Sequence, residues 1–301
     1  MDTPRVDSHL HIWDLARSSY SWLTPENQLL YRNYTPTEAC SELTRNDFDG
    51  AILVQADDSH AETEYLLQVA ETSSWVYGVV GWIDLDNPNR AIADMERWQE
   101  NPVFRGVRHL VHSDPRKDFL DRPTVRASLH EVGRFGYTLD IPDAWPAHCD
   151  QAYHLARENE NLTVVIDHLA KPPQITSEFL PWRHAMERLA ELPNTVTKLS
   201  GLRHPEPDFT PTSLTPAWEV ALNAFGPDRI MYGGDWPMTV PYGNYSDTWR
   251  VVSQLLDLVS LDERNQILGL TAFRVYGLSV PPTRSAQTPE NNDLPDYRND
   301  Q

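Results

Sequence analysis

The chain has 301 residues, a length that accommodates either two ordinary domains or one large α/β barrel. It holds 25 Lys and Arg residues against 44 Asp and Glu residues, and the resulting net charge of −19 disfavours nucleic acids and anionic membranes as partners. Hydrophobic residues make up 40% of the chain and include 10 Trp and 12 Tyr, which excludes an intrinsically disordered protein.

Eight short runs of β-branched and apolar residues alternate with longer segments of helical periodicity. This alternation is typical of βα units and a parallel sheet. Eight such repeats favour a (β/α)8 TIM barrel, with a doubly wound sheet as the alternative. The predicted strands span residues 5–10, 51–55, 76–83, 104–110, 137–141, 163–167, 195–199 and 229–232.

A clear helix start lies at Thr35, which is followed by Pro36 in the first turn and by Glu38 three residues after the cap. This order predicts a capping box. From about residue 280 the sequence is rich in Pro, Asn and Asp and loses its apolar periodicity. We therefore predict one barrel domain over 1–280 and a polar tail over 281–301, either disordered or packed on a neighbouring subunit.

The first predicted strand carries two histidines, His9 and His11, two positions apart. Alternation along a strand puts both imidazoles on the same side, where they could bind one metal ion. The alternative is a pair of polar residues at the mouth of a barrel. Active sites of such barrels lie at the carboxyl ends of the strands, so this pair is the first candidate for a site.

Two further candidates follow predicted strands six and eight. His168 lies where an apolar run meets a loop with a proline, and Asp235 follows two glycines. Alone, such a histidine is more often structural, and an aspartate after Gly-Gly is more often a turn residue. His168 and Asp235, like His9 and His11, lie at strand ends, and these ends converge on one mouth of the barrel. This joint occurrence favours a functional site.

Other strand ends supply candidate substrate-binding residues. Arg108 follows strand four and offers several fixed donors to carboxylate, carbonyl or hydroxyl oxygens, although a surface ion pair is the alternative. Three more residues are candidates by position, namely His109, Asp140 and Arg203. Three tryptophans are candidate walls of a pocket, although simple packing is common for this residue type: Trp13, Trp82 and Trp236.

The two cysteines, Cys40 and Cys149, are far apart and form no Cys-x-x-Cys pattern. They indicate neither a disulfide framework nor a thiolate zinc site, which fits a reducing compartment. No apolar run reaches the roughly 20 residues of a membrane span, and the N-terminus lacks the order of a secretion signal. We expect a cytoplasmic protein that acts on a small molecule. A monomer and a homo-oligomer are both compatible with the sequence.

Four motifs together resemble the amidohydrolase superfamily. They are Val-Asp-Ser-His-Leu-His at 6–11, Asp-His-Leu-Ala-Lys-Pro at 167–172, Lys-Leu-Ser-Gly-Leu at 198–202 and Tyr-Gly-Gly-Asp-Trp-Pro at 232–237. More narrowly, they are similar to its amidohydrolase-2 branch, which contains L-fuconolactonase, L-rhamnonolactonase and 2-pyrone-4,6-dicarboxylate lactonase. The resemblance runs in order over most of residues 5–277.

The resemblance implies a distorted (β/α)8 barrel with Asp235 as the catalytic carboxylate and His168 as a further catalytic residue. It implies a metal site made by His9, His11, His168 and Asp235, if a metal is bound. Members of the branch use one divalent ion or none, and zinc is the expected ion. The chain lacks an obvious carboxylated-lysine site and the full histidine set of binuclear relatives, which disfavours two metals.

The expected function is hydrolysis of a small sugar-derived lactone, in carbohydrate metabolism. Asp235 would take a proton from water and return it to the ring oxygen, while His168 and Arg108 or a metal stabilise the developing charge. One alternative is metal-dependent, non-oxidative decarboxylation of an aromatic or unsaturated acid. A barrel that binds a ligand without turnover is the other, and it is disfavoured because the acid and the histidines are all present.

Overall fold

The structure is a computed structural model that describes residues 3–203 and 209–279. Its eight strands form one parallel sheet in sequence order, and every strand is followed by a helix. All eight predicted strands are present, so the predicted (β/α)8 barrel is confirmed. The strands are β1 Val6–Leu10, β2 Gly50–Val54, β3 Val76–Gly81, β4 Phe104–Arg108, β5 Thr138–Ile141, β6 Thr163–Ile166, β7 Thr195–Leu199 and β8 Ile230–Tyr232.

The helices surround the sheet, and six of them begin at a capping side chain: Thr35, Ser59, Asn87, Thr210, Asn244 and Ser260. Thr35 and Glu38 form the predicted capping box at the start of α1. A π-helical turn at Gln266–Leu270 joins the last two helices. The helices are α1 Pro36–Arg45, α2 His60–Thr72, α3 Pro88–Trp98, α4 Pro123–Arg134, α5 Cys149–Glu158, α6 Thr176–Ala190, α7 Pro211–Phe225, α8 Tyr245–Leu256, α9 Leu261–Asn265 and α10 Thr271–Val275.

The barrel closes through the segment after β8 rather than through a full strand pair, because β8 has only three residues. The backbone N–H of Asp235 donates to the carbonyl oxygen of His9 at 2.8 Å, and the N–H of His11 donates to that of Trp236 at 2.7 Å. This closure accounts for the expected distortion. It also fixes Asp235 beside the two histidines of β1.

The lower half of the barrel interior is an apolar plug. Inward side chains of the strands pack there with Tyr276, which follows α10 and is 3% exposed. Burial of each such aliphatic side chain contributes about 1.5–3 kcal/mol, so the plug supports the polar layer above it. The strand residues of this cluster are Val6, Ile52, Val54, Val80, Val165, Val196 and Met231.

Some predictions concern residues that lie outside the described ranges. The predicted tail over 281–301 lies there, so the boundaries 1–280 and 281–301 stay predictions. Within 3–203 and 209–279, none of the helices has the length and apolar character of a bilayer span. Cys40 is half-buried and Cys149 is buried, and both are free cysteines.

Candidate active site

The two histidines of β1 converge at the carboxyl end of the strand. His9 Nε2 lies 3.1 Å from His11 Nε2, and both rings are buried. The Nδ1 atom of His11 lies 2.7 Å from the carbonyl oxygen of Val54, which only accepts hydrogen bonds. Nδ1 therefore carries the proton, and Nε2 presents a lone pair to the interior of the site.

Asp235 completes this group from the other side of the barrel seam. Its Oδ1 lies 3.5 Å from His11 Nε2 and 3.8 Å from His9 Nε2. Burial alone raises the pKa of the Asp235 carboxyl, but the neighbouring His168, His11 and His9 rings lower this pKa below its ordinary value. The carboxylate is therefore ionised at neutral pH and can accept a proton.

These three side chains have the donor chemistry of a single divalent-metal site. A tetrahedral zinc ion has ligands about 2.0–2.1 Å away, which places the ligand atoms about 3.3 Å from one another. The three separations among His9 Nε2, His11 Nε2 and Asp235 Oδ1 run from 3.1 to 3.8 Å. Burial lowers the pKa of His9 well below its ordinary value, so this ring is neutral, as a metal ligand must be. The residues present could therefore hold one metal ion.

A buried ammonium group lies beneath His9. Lys198 Nζ is 3.1 Å from His9 Nδ1, 2.5 Å from Asp140 Oδ2 and 3.1 Å from Asp167 Oδ1. All four side chains are fully buried, and the hydroxyl of Tyr276 donates to Asp140 at 2.7 Å. Asp140 thus binds Lys198 below the site instead of lining the cavity above it.

Arg108 joins this polar layer to the cavity. Its Nε donates to Asp167 Oδ2 at 3.1 Å and its Nη1 donates to the carbonyl oxygen of Gln55 at 2.9 Å. Burial alone raises the pKa of Asp167, but Lys198, His9 and Arg108 lower this pKa well below its ordinary value. The guanidinium is therefore held rigidly, with one edge at the cavity.

His168 enters the site from an unusual turn after β6. Four consecutive residues here, 168–171, have left-handed backbone conformations with φ between 50° and 64°. The Nδ1 atom of His168 lies 2.9 Å from the hydroxyl of Ser200. Gly201 packs against this ring so closely that a Cβ at that position would lie 2.3 Å from His168 Nδ1. Strain of this kind is typical of positions that a functional site constrains.

A cavity of about 120 Å³ opens above these groups. It is smaller than the roughly 300 Å³ at the low end of drug-sized ligand sites, so it fits only a small molecule. Its lining is formed by His11, Trp22, Ala56, Arg108, Leu110, His112, Pro142, Asp143, His168, Lys171, Asp235 and Met238. Of the predicted site residues, the structure brings His11, His168, Asp235 and Arg108 together here, with His9 directly behind His11.

Besides Asp140, three further predicted substrate-binding residues lie outside this lining. His109 stacks on Phe119 with ring centres 4.0 Å apart, and its Nε2 contacts Asp114 at 3.0 Å. Trp236 packs edge-on against Tyr34 at 5.1 Å. Arg203 lies over the ring of a phenylalanine at 5.2 Å. Trp13 and Trp82, the other candidate walls, are also absent from the residues that line the cavity.

Several site residues were not found by sequence reasoning. Trp22 lines the cavity from the long loop after β1, and His112, Asp143 and Lys171 lie on loops after β4, β5 and β6. Their loop positions give no periodic signal. Lys198 did carry a signal, because a lysine inside a strand of a buried parallel sheet needs charged partners.

The sequence profile of the Amidohydrolase family matches residues 6–278. An L-fucono-1,5-lactonase of Burkholderia ambifaria is 31% identical to the chain over 286 residues, which covers 93% of this chain and 97% of that protein. A second L-fucono-1,5-lactonase, from Burkholderia multivorans, is 30% identical over 295 residues and covers 93% of this chain and 98% of that protein.

Solved structures agree with this match. An amidohydrolase from Burkholderia multivorans, crystallised with bound zinc, has a TM-score of 0.82 at 28% identity and covers 92% of this chain and 100% of that chain. A 2,6-dihydroxybenzoate decarboxylase from Rhizobium has a TM-score of 0.63 at 14% identity over 92% of this chain and 99% of that chain, which shows the fold alone. The resemblance read from the four motifs is confirmed, and the chain belongs to the amidohydrolase family.

Proposed function

We propose that the protein is a hydrolase that opens the ring of a small, sugar-derived aldonolactone. The observation that carries this proposal is the ionised Asp235 carboxylate at the base of a small cavity, beside the converging Nε2 atoms of His9 and His11. The likeness to two L-fucono-1,5-lactonases supports the substrate class.

Asp235 serves first as a base and then as an acid. It takes a proton from the water whose oxygen attacks the lactone carbonyl carbon, and a tetrahedral intermediate forms. When the intermediate collapses, the bond between the carbonyl carbon and the ring oxygen breaks. The protonated Asp235 then gives its proton to that ring oxygen, which leaves as the hydroxyl group of an open-chain acid. The carboxylate is regenerated.

Cationic and hydrogen-bonding groups face the developing charge. Arg108 is fixed by Asp167 and Gln55, and His168 is fixed by Ser200, so neither group needs to reorganise during the reaction. A divalent ion held by His9, His11 and Asp235 would act as a Lewis acid and lower the pKa of water when bound.

The cavity fits an uncharged ring with one apolar side. Trp22 and Met238 contribute apolar surface, whereas Arg108, Asp143 and Lys171 offer partners for hydroxyl groups. The net charge of −19 would slow the approach of an anion, but it does not affect a neutral lactone. The same field favours departure of the anionic product.

Acid release from a panel of aldono-1,4- and 1,5-lactones tests the proposal, with a pH indicator and with metal-stripped and zinc-supplemented protein. The expected result is turnover of at least one lactone. Absence of turnover across the panel would contradict the proposal. The next assays would then measure decarboxylation of aromatic and unsaturated acids, and ligand binding without turnover. A cytoplasmic location and a homo-oligomer stay predictions of the sequence.

A further inference from the structure

A long loop between β1 and α1 contributes one wall of the cavity. Backbone hydrogen bonds between Trp13 and Tyr34, at 3.1 and 2.9 Å, join its two ends. We call the intervening residues 14–33 the mouth loop. Trp22 lies in this loop and lines the cavity, and its indole N–H donates to the carbonyl oxygen of Ala56 at 2.6 Å.

The mouth loop is attached to the rest of the protein by a buried carboxyl group. Glu62, on the first turn of α2, contacts the hydroxyl of Tyr20 through Oε2 and accepts the backbone N–H of Ala56 at 3.1 Å through Oε1. Glu62 and Tyr20 are both 0% exposed. Glu62 therefore holds the loop directly through Tyr20 and also binds the backbone N–H of Ala56, the residue whose carbonyl oxygen accepts from Trp22.

The backbone at Tyr20 is strained, which indicates that this attachment contributes free energy. Its φ is 39°, a left-handed conformation that is a genuine outlier for a bulky residue. Such a conformation persists only where the surrounding contacts offset its cost. The hydrogen bond to Glu62 and the complete burial of the Tyr20 ring are those contacts.

We infer that Glu62 is a positioning residue that sets substrate affinity, because it holds the mouth loop closed and Trp22 in place as a wall of the cavity. This inference rests on the proposed lactone hydrolysis. On this inference, Trp22 contacts the body of a substrate as a wall of the cavity, and Asp235 faces the reacting atoms. A contact of that kind is equally strong in the ground state and the transition state, so its loss raises KM and leaves kcat nearly unchanged.

Tyr20→Phe tests the contact between Tyr20 and Glu62 with the smallest change, because it removes only the hydroxyl group. Loss of one such hydrogen bond is expected to raise KM about 3- to 10-fold, with kcat within about twofold of wild type. Tyr77→Phe is the matched control. This substitution removes the hydrogen bond that the Tyr77 hydroxyl donates to the carbonyl oxygen of Asp49, at the opposite end of the barrel. The KM of Tyr77→Phe is expected to equal that of wild type.

Two substitutions of Glu62 separate hydrogen bonding from packing. Glu62→Gln keeps the shape, accepts from Ala56 and donates to Tyr20, so its KM is expected to stay near that of wild type. Glu62→Leu fills similar space without these bonds and is expected to raise KM at least as much as Tyr20→Phe. If Glu62→Leu fails to fold, the comparison of Tyr20→Phe with Tyr77→Phe still decides.

Hydrogen exchange of the mouth loop gives a readout that needs no turnover. If the contact between Tyr20 and Glu62 holds the loop, amide hydrogens of residues 14–33 exchange faster in Tyr20→Phe than in Tyr77→Phe. Equal exchange with unchanged KM would overturn the inference, and so would a fall in kcat as large as the rise in KM. If no lactone is hydrolysed by the wild type, the proposed function fails, and hydrogen exchange alone still judges whether Glu62 holds the loop.

Discussion

The Nε2 atoms of His9 and His11 lie 3.1 Å apart at the carboxyl end of β1. The Nδ1 proton of His11 is assigned by its bond to the carbonyl oxygen of Val54, so its Nε2 lone pair points at the other imidazole. Lys198 Nζ can only donate, so His9 Nδ1 accepts and His9 Nε2 carries the ring proton that lies between the two imidazoles. A divalent cation would take the place of that proton. With Asp235 Oδ1 3.5 Å from His11, this arrangement predicts that the site takes up a divalent cation.

Removal of His11 is expected to weaken this metal binding strongly. Wild-type protein dialysed against zinc and then washed should retain about one ion per chain, and His11→Ala should lose at least about 100-fold in zinc affinity because one of three ligands is gone. Elemental analysis and a chelator competition measure both quantities. His130→Ala, an exposed position on α4, is the control. Equal zinc affinity in His11→Ala and His130→Ala would refute the ligand role.

Gly201→Ala tests the close packing around His168. A Cβ at Gly201 would lie 2.3 Å from His168 Nδ1 and 2.9 Å from Asp235 Oδ2, so the substitution must displace both side chains. We expect a loss of about 100-fold in kcat/KM, as misplacement of reacting groups by about 1 Å causes. Gly136→Ala is the matched control, because Gly136 has a similar positive φ of 77° but nothing within 4 Å of its Cβ position. Similar activity in both variants would contradict the placement of His168.

Lys198→Met tests the buried cation beneath His9. It leaves Asp140 and Asp167 buried without their ammonium partner, and such a loss destabilises a protein by about 3–5 kcal/mol. Lys171→Met removes a partly exposed pair with Asp143 at 3.9 Å, which is worth about 0–1 kcal/mol, and a hydrogen bond to the carbonyl oxygen of Gly201 at 3.2 Å. Urea unfolding of both variants measures the difference. Equal free energies of unfolding would show that Lys198 is not the partner of these carboxylates.

Strand alternation explains which parts of the site sequence reasoning could find. It correctly paired His9 with His11, because residues two apart on a strand face the same side. Arg108 is the last residue of β4 and lines the cavity, whereas His109 lies beyond the strand and packs against Phe119. Of these two predicted substrate-binding residues, only Arg108 lines the cavity.

Loop residues could not be predicted in the same way. Trp22 reaches the cavity because Ala56 and Glu62 hold a loop that has no periodic pattern, and these contacts join positions 34 or more residues apart. Only the folded chain brings such positions together. The strand ends therefore specify the catalytic groups from sequence, whereas the walls of the cavity depend on tertiary contacts.

The pH dependence of KM tests the protonation of Glu62. Burial raises the pKa of Glu62 from 4.5 to about 8 when the loop is closed. Closure is therefore most favourable below about pH 4.5, and this contribution is lost as pH rises toward about 8. The ratio of the wild-type KM to the Glu62→Gln KM should rise over that interval.

This ratio isolates Glu62, because the groups that face it are common to both proteins. They are Tyr20 in the mouth loop, Asp57 after β2 and Tyr65 on α2. Steady-state kinetics at several pH values, corrected for spontaneous lactone hydrolysis, give the ratio. A ratio that is constant from pH 5 to 8 would contradict the raised pKa as a determinant of closure.

The most direct test of the central claim is the kcat of Asp235→Asn on the best lactone of the panel. The amide keeps the shape of the carboxylate but cannot accept the proton of the attacking water, so kcat should fall by about 100- to 10,000-fold. Asp150→Asn, an exposed position on α5, should have the kcat of wild type. A kcat of Asp235→Asn within a few fold of wild type, in correctly folded protein, would contradict the role of Asp235 as the catalytic base.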